Sequence, residues 1–342
     1  GKADRPEIAP LTAMRGVAAL AVVIYHFSGG FLPNLDLTSV TGLVSKGYLW
    51  VDFFFVLSGF ILSHAYADTF RDGVAWPRFR TFIEARFARI YPLHLMVLGG
   101  FLLLEFAKVA LLDLHLGQEV GEPFGPGASP YGLVLNILLL QTTGLQAHPT
   151  WNGPAWSIGA EFAAYLLFPL LTLLVIRMGG STRLALGAAA LAGLWLISDY
   201  GTHLDRTTSF GLLRCLFEFT LGILTYQLFL RLPKALLARN APPVLLGAGI
   251  LAAMHFELPD MVIPPAFALF ILFIAANRGA TARVLSAAPL VHIGTISYSI
   301  YMSHYLLIEA IQLVSRAVTG AGAGRHLDAR LSSLLLAFLV LA

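Results

Sequence analysis

Two residues of different acid–base character stand eleven positions apart near the start of the chain. In LTAMRGVAALAVVIYHF, Arg15 is a permanent cation and His26 a titratable base, and their neighbours are almost all apolar. On an α-helix this spacing puts them within about 20° of one face and about 16 Å apart along the axis. Ionisable groups in an apolar helix are costly and are candidate functional residues by default. A neutral imidazole can take a proton from a hydroxyl, and a guanidinium lower on the same stripe can hold an anion. The competing reading is that each side chain snorkels to its nearer headgroup region.

A second group lies in RFRTFIEARFARIYPLH. Arg86 and Arg89 are at i, i+3 and share a helix face, with Pro92 expected to break the chain just behind them. Guanidinium forks match phosphate, so a phosphate-bearing ligand is expected here, with Arg78 and Arg80 adding charge. A simple positive anchor would explain the number of arginines but not the paired face. No GxxxxGK[ST] loop is present, which argues against ATP hydrolysis.

In WSIGAEFAAYLLFP, Glu161 is expected at about the depth of His26, where a carboxylate would hold the imidazole tautomer. A purely structural polar pair is the alternative. Trp156 and Ser157, Asp52 in GYLWVDFFFVLSGFIL, and Tyr298, Tyr301 and His304 in ISYSIYMSHYLL are candidates to contact an acceptor or stabilise an oxyanion. Hydroxyls bonding helix to helix would equally explain the last group. Ser58-Gly59 is expected to allow close helix packing. Arg214 with Glu218 and Glu105 with Lys108 read as structural pairs, and Cys215 as packing. No HExxH-type spacing occurs and no metal is expected.

The elements that carry these residues belong to a membrane. Of 342 residues, 57% are hydrophobic and only 12% charged, and mean hydropathy is +0.77. An ordinary soluble domain is about a quarter charged, so a soluble, disordered or coiled-coil chain is excluded. The net charge of +3 forms no basic stripe, so no nucleic-acid partner is expected. A span needs about 20 apolar residues. This gives an all-α polytopic membrane protein with ten expected spans, at 8–29, 47–67, 91–112, 156–176, 183–199, 209–230, 241–257, 262–277, 289–315 and 327–342. The apolar piece 131–146, with Asn136 and Gln141, is expected to be re-entrant or interfacial. That keeps 113–155, which has no Lys or Arg, on one side. Fourteen basic residues then face one side and five the other, so the first side and both termini are expected to be cytoplasmic. A single transmembrane domain over 1–342 is expected, and Gly1 in place of Met suggests a processed or tagged start.

Four pieces in this order resemble the acyltransferase family 3 of integral-membrane acyltransferases. They are the Arg-x10-His of Arg15 and His26, GYLWVDFFFVLSGFIL, RFARIYP, and WSIGAEFAAYLLFP together with ISYSIYMSH. The resemblance implies an acyl donor from the cytosol, usually acetyl-coenzyme A, and transfer to a hydroxyl of an extracytoplasmic glycan or glycolipid. It implies His26 as the catalytic histidine with Arg15 as its partner, Arg86 and Arg89 as the donor-side arginine motif, and Glu161 as the acidic position. The alanine-rich composition suggests a bacterium, and the absence of a β-barrel pattern then its inner membrane, with membrane lipids as neighbours; a stand-alone form with no added hydrolase-like domain is expected. Direct transfer and an acyl-histidine intermediate are both compatible with the sequence, and the oligomeric state is open. Gly159 and Ala160 depart from the bulkier family pattern, as does Ser303 before His304. A transporter or flippase of a polar lipid or glycan is the rival class, because it shares intramembrane charges and a short re-entrant piece.

Overall fold

A computed structural model of the chain describes residues 6–28, 37, 40–115 and 120–326, and every regular element among them is helical. In chain order these are α1 (Ala9–Ser28), α2 (Gly42–Ser45), α3 (Trp50–Phe70), α4 (Trp76–Asp113), α5 (Pro130–Ile137), α6 (Trp156–Arg177) and α7 (Gly180–Ile197). There follow α8 (Gly211–Arg231), α9 (Lys234–Leu237), α10 (Ala241–His255), α11 (Ile263–Ala276), α12 (Ala280–Leu285), α13 (Ala288–Thr319) and α14 (Ala323–His326).

Six of these helices are long and apolar enough to cross a membrane: α1, α3, α4, α6, α7 and α8. The expectation of ten spans is not met by that measure. The stretches expected at 241–257 and 262–277 fold as α10 and α11, with 15 and 14 residues. The span at 289–315 lies inside α13, whose 32 residues are ample in length but carry Ser297, Tyr298, Tyr301, Ser303 and His304. The stretch 327–342 lies outside the described residues. The chain is a polytopic helical membrane protein on length and composition.

The arginine segment also differs from expectation. It is helical from Trp76 onward, and Pro92 sits inside α4 rather than at a break. At 1.5 Å per residue, the 38 residues of α4 reach about 57 Å, well beyond a hydrocarbon core of about 30 Å. Its first turns therefore project out of the apolar layer and carry the arginines with them.

The piece 131–146 does not cross. It forms only α5, eight residues long, and then a run of turns. The buried Asn136 side chain donates to the Gly132 carbonyl and Thr150 Oγ1, while the main-chain carbonyl of Asn136 accepts from His94 Nε2 of α4 at 2.9 Å. Tyr91 of α4 donates to the Ile137 carbonyl. Non-helical backbone at this depth must have its polar groups satisfied by protein, and α4 does part of that work. His94 is 1% exposed at this junction.

Two glycine contacts set the helix spacing. A Cβ on Gly294 of α13 would come within 1.8 Å of the Thr12 carbonyl of α1, and one on Gly16 would meet Gly294 at 2.8 Å. Likewise a Cβ on Gly59 of α3 would stand 2.1 Å from the Phe219 carbonyl of α8, and one on Gly222 would stand 2.0 Å from the Val56 carbonyl. Where lipid is as apolar as the side chains, close backbone approach of this kind drives helix pairing. The packing expected of Ser58-Gly59 is thus made by Gly59. Overpacking costs about 1–3 kcal/mol, so Gly294→Ala should lower the melting temperature of the detergent-solubilised protein. Gly249→Ala on α10, where a Cβ meets nothing within 4 Å, should leave it unchanged in the same thermal scan.

Candidate active site

Helices α1 and α13 run side by side and present one histidine each at the same end. His26 Nδ1 lies 3.0 Å from the Val22 carbonyl and 3.1 Å from His304 Nε2. His304 Nδ1 lies 2.7 Å from the Tyr301 carbonyl. A carbonyl only accepts, so His304 carries its proton on Nδ1 and offers a lone pair at Nε2. His26 Nδ1, facing that lone pair and a second carbonyl, must be the protonated nitrogen of its ring. The unprotonated nitrogen of His26 is therefore Nε2, the edge left for a ligand. One ring orients the other, and a base results.

His26 lines a cavity of about 640 Å³ at this end of the bundle. The wall is aromatic: Tyr25 and Tyr305 pack edge-on against His26 at 4.9 and 5.8 Å, and Tyr48, Tyr301, Trp151 and Trp156 continue it. Segments 120–128 and 149–156 and the residues Asp205 and Thr207 complete the rim. Trp156 is half of a cation–π pair with Arg214, whose guanidinium carbon stands 5.5 Å from the ring centre.

The expected oxyanion donors separate on proton counting. Ser157 Oγ, Tyr301 Oη and the Pro154 carbonyl lie within 2.8–3.1 Å of one another. Two hydroxyl protons serve three contacts, so neither is spare. Tyr298 donates to the Ile90 carbonyl at 2.5 Å, away from His26. Among the described residues, the indole N–H of Trp156 has no hydrogen-bond partner, and Trp156 borders the cavity.

Glu161 does not adjoin His26. Its Oε1 accepts from Ser58 and Tyr165, each at 2.5 Å, and its charged neighbour on α1 is Arg15. The expectation failed because depth was counted from the start of α6. That start is itself inside the fold, beneath the buried residues Trp151, Asn152, Pro154 and Ala155. One and a half turns further on is the level of Arg15.

Arg15, Glu161, Tyr165 and Arg89 thus form a second polar centre at the opposite end of α1. Arg15 and Arg89 carry no hydrogen bond or ion pair among the described residues. Arg86 lies over the Tyr66 ring, gives one bond to its hydroxyl at 3.3 Å and keeps a buried Nε without a partner. Arg78 and Arg80 stay outside this centre: Arg78 donates to the Thr69 carbonyl, and Arg80 pairs with Glu84 on an exposed face.

Asp52 is no cavity residue either. It is fully buried and holds Arg214 in a two-pronged ion pair, Nε to Oδ1 at 2.7 Å and the second prong to Oδ2 at 2.6 Å. Arg214 was expected to pair with Glu218 along α8. The fork instead reaches across to α3, because a bidentate carboxylate match is stronger than a same-helix contact. Glu218, fully buried beside Asp52, receives no donor. Glu105 and Lys108 do pair, at 2.5 Å, and Cys215 is buried.

The profile of an acyltransferase-domain family matches residues 8–342. The chain belongs to that family. It is 31% identical over 335 residues to acyltransferase MdmB of Streptomyces mycarofaciens, covering 87% of this chain and 78% of MdmB. It is 25% identical over 334 residues to the peptidoglycan O-acetyltransferase OatA of Listeria monocytogenes, covering 89% of this chain and 50% of OatA. No solved structure matches.

Breaking a buried ion pair by removing one partner typically costs about 3–5 kcal/mol, whereas replacing both partners with apolar groups is often neutral. Asp52→Ala should therefore destabilise the protein strongly, and Asp52→Leu combined with Arg214→Met should recover most of the loss in thermal unfolding.

Proposed function

We propose that the protein is a membrane O-acyltransferase that moves an acyl group, acetyl by preference, from cytosolic acyl-coenzyme A to a hydroxyl of a carbohydrate or glycolipid outside the membrane. The observation that carries this reading is His26 at the cavity wall, paired behind with His304 and left with an unprotonated Nε2. In this reading the arginine end faces the cytosol, both termini lie there, and the membrane is the bacterial inner membrane.

The arginine centre suits the donor. Arg15, Arg86 and Arg89 have guanidinium N–H groups left over, which is the donor set a polyphosphate needs. The distance from Arg15 to His26 along α1 is about 16 Å, so a long flexible arm can hold phosphates at one end and offer a thioester at the other.

His26 Nε2 takes the acceptor's hydroxyl proton as the oxygen attacks the thioester carbonyl. His304 shares the gain in positive charge through the Nδ1–H bond and keeps the ring in place. Trp156 N–H is a donor on that wall for the oxyanion of the tetrahedral state. Collapse breaks the carbon–sulfur bond, and the proton on His26 passes to the departing thiolate. Glu161 acts at the arginine centre, balancing Arg15 and holding Tyr165 and Ser58.

A ligand that binds only the folded state raises its stability by mass action. Acetyl-coenzyme A should stabilise the wild type and His26→Ala in detergent but not Arg86→Ala/Arg89→Ala. No stabilisation of folded wild type at saturating donor would sink this reading. His304→Ala should retain donor stabilisation yet lower transfer to a glycan acceptor about 10²-fold or more, the usual scale of a disabled general base, as followed by free thiol release.

A further inference from the structure

The cavity beside His26 is unlike the arginine centre in charge. Six carboxylate, ammonium or guanidinium side chains line it besides His26: Glu105, Lys108, Glu122, Asp205, Glu309 and Arg316. Four are acids and two are bases. Lys108 is held by Glu105, whose other oxygen accepts from the Phe124 amide at 2.7 Å. Arg316 lies two turns beyond Glu309 on the same face of α13 and is its electrostatic neighbour. Both bases are thus matched by acids of the same wall.

Two acids are left over: Glu122, which is exposed, and Asp205. Asp205 carries no hydrogen bond or ion pair among the described residues, and it is only half-buried. Arg214 feels its charge but is already held by both oxygens of Asp52, and Arg206, next in the chain, pairs with Asp199. Asp205 is instead the electrostatic neighbour of the hydroxyls of Tyr25 and Tyr48. These two rings pack edge-on with centres 6.0 Å apart, and Tyr25 in turn touches His26. A carboxylate beside aromatic faces is the combination that recognises an organic cation, through charge pairing and cation–π attraction. Flat aromatic walls also suit the apolar faces of a sugar ring.

Resting on the acyl-transfer reading above, we propose that this cavity selects an acceptor sugar bearing a positively charged amine, with Asp205 as its counter-ion and Tyr25 and Tyr48 as the rings against which the cation packs. The amine is a recognition group and takes no part in the transfer; the hydroxyl presented to His26 Nε2 belongs to the same or an adjoining ring. An anionic acceptor is disfavoured here, since the spare guanidinium groups are at the other end of α1.

Two methyl glycosides of equal shape test this: 2-deoxy-2-trimethylammonio-glucoside and its neutral 2-tert-butyl isostere. Neither can be acylated at position 2. Their affinities would be measured on the full chain in detergent, by ligand-induced thermal stabilisation, with acetyl-coenzyme A stabilisation recorded in the same samples. The expected result is binding of the cationic glycoside at least about tenfold tighter than the neutral one, in keeping with cation–π plus ion pairing at a partly exposed site. Asp205→Asn should erase the difference and Asp205→Glu should retain it. Equal affinities in the wild type, failure of both glycosides to bind while the donor still stabilises, or a preference that survives Asp205→Asn would each overturn the proposal and leave acyl transfer standing. Loss of donor stabilisation in folded wild type would overturn both.

Discussion

The contact between α1 and α13 at Gly16 and Gly294 governs the rest of the molecule. Each glycine is followed ten residues later by the histidine of its own helix, His26 on α1 and His304 on α13. The two helices therefore advance in parallel from one contact to the next, about 15 Å along. At the glycines the backbones touch, and no side chain fits between them. At the histidines two imidazoles fill the contact instead, with ring centres 5.0 Å from each other. There one imidazole fixes the tautomer of the other, since neither ring is hydrogen-bonded to a carboxylate.

A second constraint keeps the floor of that cavity rigid. The Gly59–Gly222 contact draws α3 and α8 together, and the Asp52–Arg214 pair locks them a few turns away. Arg214 then serves as the support for Trp156, and a Cβ on Gly211 would strike that indole ring at 3.1 Å. Desolvating two charges is expensive, and the return on it is position: the pair supports a cavity-wall indole whose N–H has no partner among the described residues. The polar groups of the bundle thus divide by task. Asp52 with Arg214 and Ser157 with Tyr301 bond to each other and build the frame. His26, Trp156, Arg15 and Arg86 keep donor or acceptor capacity at the cavity and at the arginine centre.

Much of this was legible in the sequence because it is periodic. Apolar length gave the helices, and the eleven-residue step from Arg15 to His26 gave two centres on one stripe. The lack of Lys and Arg in 113–155, with Asn136 and Gln141 in its apolar piece, pointed to a segment that enters without crossing. What was not legible depends on contacts between distant residues. His304 is 278 positions from His26, so its hydroxyl-rich surroundings suggested an acceptor contact and hid its role beside His26. Arg214 offered an obvious partner four residues away, but the better geometry was on another helix. Glu161 was placed by its distance from a helix start, which is informative only when that start lies at the surface. Asp205 gave no signal at all, being one acid in a loop.

The walls of the cavity and its floor come from different kinds of structure, and this bears on what the fold can vary. His26, His304 and Trp156 stand on or at the start of long helices held by glycine contacts and a buried ion pair. Small displacements there would misalign the reacting atoms, so these elements must be stiff. Asp205, Thr207, the 120–128 stretch and residues 149–153 belong to turns and short loops above them. A change of side chain in those loops alters charge and shape at the mouth without moving the histidine pair, because no helix crossing passes through them. The arginine centre is likewise remote, a helix stride of about 16 Å away. On the proposed reading, donor binding, bond making and acceptor choice fall to three sets of residues at separate places in the fold. A chain built this way can change its acceptor while keeping its chemistry.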